Sequence, residues 1–182
     1  MWKLDASDGE LVVRTGVTGR AARMGHRLTI VLQRWSATVR RSGESGAEPT
    51  AVELTIEVDS LQVIKGEGGV TPLTAPEKAL VRTNALNSLR AQRFPQIVFR
   101  ATDVAAMGDG YRLNGTLEIA GVARGHLVNV RVDDLGRSWR MTSDAEVRQS
   151  DYRIKPHSLL MGVVKVADTV TVSFNAVRAK GD

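Results

Sequence analysis

The segment Thr50-Ala51-Val52-Glu53-Leu54-Thr55-Ile56-Glu57-Val58-Asp59 alternates aliphatic and polar side chains with a period of two. Successive side chains of a pleated strand leave opposite faces. Val52, Leu54, Ile56 and Val58 therefore share one face, and Glu53, Thr55 and Glu57 the other. A strand that is oily on one side and wet on the other suits an antiparallel sheet with one face packed. The pattern returns at Tyr111, Leu113, Leu117 and Ile119, set between Arg112, Asn114, Thr116 and Glu118. It returns again at Val170, Val172, Phe174 and Ala176, set between Thr171, Ser173 and Asn175. Such a chain is predicted to be all-β, curled into a sandwich or closed into a barrel with an apolar inner wall.

Working outward, further strands are expected at 2–4, 10–14, 27–41, 97–101, 127–132, 139–147, 160–166 and 169–177. Within 27–41 the apolar parity changes between Leu28, Ile30, Leu32 and Trp35, Ala37, Val39, which predicts a bulge near Gln33-Arg34. Ser42 to Pro49 reads as a polar hairpin loop and Lys65 to Gly69 as a flexible loop. Gly- and Asp-rich turns at Met107–Gly110, Ala120–Gly121 and Asp133–Gly136 join the later strands as an antiparallel meander. One helix interrupts this pattern. Thr74-Ala75-Pro76-Glu77 is a capping box with proline in the first turn, and good helix formers continue to about Leu89. Asn84 or Asn87 is placed to divide that helix, and Phe94-Pro95 ends it.

At 182 residues the chain is expected to form a single domain over 1–182. Hydrophobic residues make up 42% and aromatic ones 4%, so the inner wall must be mostly Val, Leu, Ile and Ala, which leaves room for a cavity. Cysteine is absent, which removes disulfides, thiolate catalysis and thiolate metal sites. His26, His126 and His157 lack the mutual spacing of a metal site, and Glu118 and Glu146 stand at outward parity. There is no nucleophile elbow, phosphate-binding glycine loop or dinucleotide fingerprint. No catalytic residue, metal or cofactor is expected. The net charge of +5 comes from arginines scattered singly, which fits a solvated outer face rather than a nucleic-acid site. Transient contact with an anionic membrane surface, and a homodimer, stay open. Met1 to Asp5 runs into a strand without the charged and apolar regions of a signal peptide. No apolar run approaches the roughly 18 residues of a membrane span. The expectation is a soluble, cytoplasmic protein.

Four ordered segments resemble those of the YceI-like, polyisoprenoid-binding family. They are Arg93-Phe94-Pro95-Gln96-Ile97-Val98-Phe99, Leu113 to Arg124 (Leu-Asn-Gly-Thr-Leu-Glu-Ile-Ala-Gly-Val-Ala-Arg), Arg148-Gln149-Ser150-Asp151-Tyr152, and Val166-Ala167-Asp168-Thr169-Val170. Arg153 stands where the family commonly has glycine, Ala123 where it often has threonine, and many relatives begin with a signal peptide. The resemblance implies an antiparallel, lipocalin-like barrel of about eight strands whose interior holds a long isoprenoid chain, such as a quinone tail. Burying ~400 Å² of tail at ~25 cal/mol/Å² would supply roughly 10 kcal/mol before the costs of immobilisation.

On this reading the ligand wall is Leu54, Ile56, Val58, Phe99, Leu113, Leu117, Val130, Met141, Val172 and Phe174. His26 and His157 are the candidates for headgroup contact, and the helical segment with Leu80 and Leu86 for a lid. The function expected is non-enzymatic binding or carriage of an isoprenoid, quinone-like or other long-chain lipid. Two other readings remain. One is a barrel enzyme for a hydrophobic small molecule, with His26 or His157 as acid or base inside the cavity. The other is a stress-associated interaction module with a solidly packed barrel.

Overall fold

The computed structural model describes residues 1–42 and 48–180, the side chains of Leu159 and Leu160 excepted. The strands are β1 (Trp2–Asp5), β2 (Gly9–Thr18), β3 (His26–Leu32), β4 (Trp35–Ser42), β5 (Glu48–Glu57) and β6 (Leu61–Gly68). After the helix α1 (Ala75–Ser88) come β7 (Gln96–Met107), β8 (Gly110–Ile119), β9 (Val122–Asp134), β10 (Ser138–Arg148), β11 (Ser158–Leu159) and β12 (Val164–Ala179). All pair within one sheet in the order β1-β4-β5-β7-β8-β9-β10-β12-β2-β3-β6, with the short β11 beside β12.

Three corners close this sheet into a barrel. β1 bends into β2 through a turn in which Asp8 N–H donates to Asp5 O at 3.0 Å. β3 bends into β4 at Gln33-Arg34, and β5 into β6 through the 3-10 turn Val58–Ser60. Across the last two corners Gln33 N–H donates to Ser60 O at 3.3 Å and Glu57 N–H to Arg34 O at 3.0 Å. Each bent pair counts as one long strand. β2 then joins this ribbon to β12 and β5 joins it to β7, so five single strands complete a ring of eight.

Several local expectations change. Residues 27–41 are two strands at a corner rather than one bulged strand. Arg34 projects at that corner and bridges Glu57 at 2.5 Å and Asp59 at 2.6 Å, ion pairs that a straight strand would not bring together. Val58 leaves the β5 alternation because its N–H donates to Pro95 O at 2.9 Å, while Ser60 Oγ donates to Glu57 O at 2.7 Å. Lys65 to Gly68 continues β6 because it pairs with β3 as far as His26. The two strands expected at 160–166 and 169–177 are one strand, β12, with a bulge between Val166 and Val170, preceded by a 3-10 turn at Leu160–Gly162. Of the polar hairpin loop, residues 43–47 lie outside the described residues.

The helix is continuous, with its capping box formed: Glu77 Oε2 accepts from Thr74 N–H at 2.7 Å, and Thr74 Oγ1 accepts from Glu77 N–H at 3.4 Å. It lies along the outer edge of β6, where strand carbonyls lack a neighbouring strand. Lys78 Nζ donates to Ile64 O at 2.7 Å and Arg82 Nε to Leu61 O at 2.8 Å. At its C-terminal end Arg90 donates to Ala120 O at 2.5 Å in the β8–β9 turn. The helix is thus tied by its cations into a gap in the barrel wall, which explains why a weakly amphipathic sequence holds it there.

Candidate functional site

The inward faces of the strands enclose a cavity of about 1010 Å³. A filled protein interior has few voids larger than a water molecule, whereas ligand pockets span about 300–1,000 Å³. The barrel is therefore hollow, and the packed-module reading loses its premise.

Period-two geometry places the wall. Leu54 and Ile56 on β5, Phe99 on β7, Leu113 and Leu117 on β8 and Val130 on β9 all line the cavity. Met141 on β10 and Val172 and Phe174 on β12 line it as well. Phe174 meets Trp35 edge-on, with ring centroids 5.4 Å apart. Val58 does not line the cavity; the corner turn buries it elsewhere, at 1% exposure. Of the two helical leucines, Leu80 lines the cavity at its rim, while Leu86 packs against the apolar cluster around Trp35.

One end of the cavity is built from the end of β2, the start of β3, the first turn of α1 and the start of β12. His26 and His157 both stand here. His26 Nε2 donates to Thr71 O at 2.7 Å, which fixes the ring beside the loop after β6. His157 is exposed and anchored through its carbonyl, which accepts from Val166 N–H at 2.9 Å. The opposite end carries Trp2, Arg41, Tyr111 and Trp139, with the Arg41 guanidinium 3.9 Å from the Trp2 ring centre.

Two polar side chains inside the barrel escaped the sequence reading. His126 lines the cavity from β9, edge-on to Phe99 with ring centroids 6.3 Å apart. Burial pushes its imidazole below the ordinary histidine range, so it is neutral near pH 7. Ser143 on β10 also lines the cavity, and its buried hydroxyl has no hydrogen-bond partner among the described residues. Both stand where the wall parts. The β9–β10 ladder ends at Arg131–Thr142, and from there β9 pairs only with β8 and β10 only with β12. The signal for His126 was present: it shares parity with Val128, Val130 and Val132, two residues before the first of them.

No cluster of three or more His, Asp or Glu that could hold a metal occurs among the described residues. His126 has a phenyl ring rather than a carboxylate beside it, and His26 is engaged by a backbone carbonyl. What this arrangement does well is remove apolar surface from water and offer a few isolated polar atoms to whatever lies within.

An antiparallel barrel closed around an apolar cavity defines the lipocalin-like class of binding barrels. A YceI-like domain model matches residues 2–178, and the chain belongs to the YceI-like family. The structure of Burkholderia cenocepacia BcnA superposes with a TM-score of 0.71 at 19% identity, covering 97% of this chain and 99% of that one. The YceI protein of Campylobacter jejuni superposes with a TM-score of 0.63 at 13% identity, covering 84% and 85%. At these identities the likeness concerns the fold. No curated protein matches the chain significantly. No helix among the described residues is long and apolar enough to cross a membrane.

Proposed function

We propose that the protein binds or carries a long-chain lipid, of the isoprenoid or quinone type, within the barrel and without altering it chemically. The observation that carries this reading is the aliphatic cavity of about 1010 Å³, whose walls come from the inward faces of all eight long strands and from α1. Its aliphatic lining, drawn from both ends of the barrel, suits a flexible hydrocarbon. The wall residues named above would hold the tail. His26 and His157 stand at one opening, placed to meet a headgroup. A cytoplasmic setting remains part of the proposal, to be tested by cell fractionation.

Native mass spectrometry and organic extraction of the purified protein test it. Co-purification or uptake of one prenyl or long-chain lipid per barrel is expected. A barrel that neither carries nor accepts such a lipid rules the reading out. Recovery of a chemically altered lipid after incubation would favour the barrel enzyme instead.

A further inference from the structure

The end of the barrel that carries His26 and His157 has an unusual rim. Most exposed side chains around a cavity mouth are polar, yet here Met24, Val70, Leu80, Met161 and Val163 all face solvent. Several observations bring these residues together. Ala21 N–H, in the β2–β3 connection that holds Met24, donates to Val163 O at 3.1 Å. His26 reaches Thr71, next to Val70, and lines the same opening as Leu80. They form a crown on a single mouth rather than singly scattered apolar residues.

Met161 is the most telling of them. Its backbone adopts a left-handed conformation (φ 55°, ψ 33°), which costs an L-residue about 1–2 kcal/mol. Its side chain is fully exposed, at 106%. A strained conformation that holds an apolar side chain out in water gains nothing within the monomer.

The charge around this crown is mainly positive. Arg20 and Arg23 flank it on the β2–β3 connection, and Lys155 and Lys165 flank His157. None of the four makes an ion pair among the described residues. Of the nearby acids, Glu67 is paired with Lys65 at 2.8 Å and Asp168 is held by Ser150 with Arg148 at 3.8 Å, while Glu77, in the Thr74 cap, sets one carboxylate against the four cations. Apolar side chains ringed by unpaired cations match the interface of an anionic bilayer, where tails lie under negative headgroups.

We infer that this rim docks on an anionic lipid surface, with Met161, Val163, Met24, Val70 and Leu80 entering the interface while Arg20, Arg23, Lys155 and Lys165 meet the headgroups. Docking in this orientation sets the mouth of the cavity directly on the membrane, so a tail could pass between bilayer and barrel without crossing water. The inference extends the lipid-carrier reading and rests on it for its purpose, but its test is independent.

The test is flotation of the full chain with vesicles of phosphatidylcholine alone or mixed with phosphatidylglycerol. Uptake of a neutral naphthylamine fluorophore is measured in parallel, without vesicles. Binding to the anionic vesicles, weakened by salt and absent with phosphatidylcholine alone, is expected. The doubles V70D/M161D and R20E/R23E should each bind about tenfold or more weakly, since each cation near the surface counts for about 1 kcal/mol. All four substituted side chains are exposed and lie outside the cavity lining, so fluorophore uptake should stay at the wild-type level. Wild-type protein that floats with neither vesicle, or doubles that float as well as wild type, would overturn the docking. Loss of fluorophore uptake in the wild type would instead count against the cavity reading and leave the docking result to stand by itself.

Discussion

Asp168 receives two hydrogen bonds from Ser150, one from the backbone N–H at 2.8 Å and one from the hydroxyl at 2.5 Å. The two residues belong to two of the segments by which the family is recognised. Beside them Gln149 Nε2 donates to Ala167 O at 2.9 Å, and Arg148 stands 3.8 Å from the same carboxylate. The pair clips the 3-10 turn after β10 onto the bulge in β12, at the His157 end of the cavity. The Asp168 Oδ atoms are occupied by Ser150 where the chain bulges, and the strands expected at 160–166 and 169–177 run on as one.

Asp168→Ala is therefore expected to lower stability by about 1–2 kcal/mol, the loss of two hydrogen bonds to a partly exposed carboxylate. Urea unfolding measures this. The Ser150 hydroxyl bond, above all, holds the Asp168 carboxyl below its ordinary range. A depressed carboxylate contributes stability that is present above the ordinary aspartate range and is lost as pH falls through the lower, folded-state value. The wild type should accordingly lose more stability than Asp168→Ala on acidification below about pH 4; parallel curves for the two proteins would contradict the clip.

Arg153, which replaces the family's usual glycine, ends that same turn with φ 57° and ψ 26°. Its side chain is exposed, so the substitution Arg153→Gly removes strain at little loss of contact. A gain of about 0.5–1 kcal/mol is expected after the greater unfolded-state freedom of glycine is subtracted. Arg153→Ala, which keeps the strain, should show no such gain in thermal unfolding.

Val130 faces the middle of the cavity and touches both apolar clusters of the wall. Val130→Trp would project a large ring into empty space rather than into packed neighbours. Lipid or fluorophore affinity should fall by about tenfold or more, with a change in unfolding free energy of less than about 1.5 kcal/mol. A loss of affinity that merely follows a loss of folding would show that the space is not available as the cavity geometry requires.

His126 should titrate below the ordinary histidine range, because burial against the apolar wall disfavours the imidazolium. As pH falls through the ordinary histidine value near 6.5, the unfolded chain takes up a proton that the folded one resists. Stability therefore declines until pH drops below the folded-state value. Imidazole NMR gives the midpoint directly, and His126→Leu should flatten the stability curve just below about pH 6.5. A midpoint at or above the ordinary value would place the ring in water. Occupation of the cavity by an apolar ligand should push the midpoint lower still.

The sequence by itself determined which side chains face inward. Alternation at 50–57, 111–119 and 170–176 assigns faces because a strand has only two, and the helix announces its start through the Thr74–Glu77 box because capping is a local interaction. Even the hairpin turn at Ala120-Gly121 is written locally, in residues that both take positive φ (50° and 77°). The family segments added the order of the pieces. Local pattern could not reveal the corners, since Gln33-Arg34 and Val58–Ser60 bend only because distant neighbours, Ser60 and Pro95 among them, take their backbone hydrogen bonds. Val58 accordingly has the parity of the wall in the sequence, yet the corner turns it away from the cavity.

Tertiary structure alone decided the rest. Ring closure depends on β2 meeting β12 and β5 meeting β7, pairings across long sequence separations that no period of two encodes. The width of the resulting ring, and with it the hollow interior, follows from how many bent strands complete the circle rather than from any one strand. The crown around His26 and His157 likewise assembles from four separate chain segments. Each of its apolar residues looks ordinary in its own stretch of sequence, and only their convergence on one mouth gives them a common use.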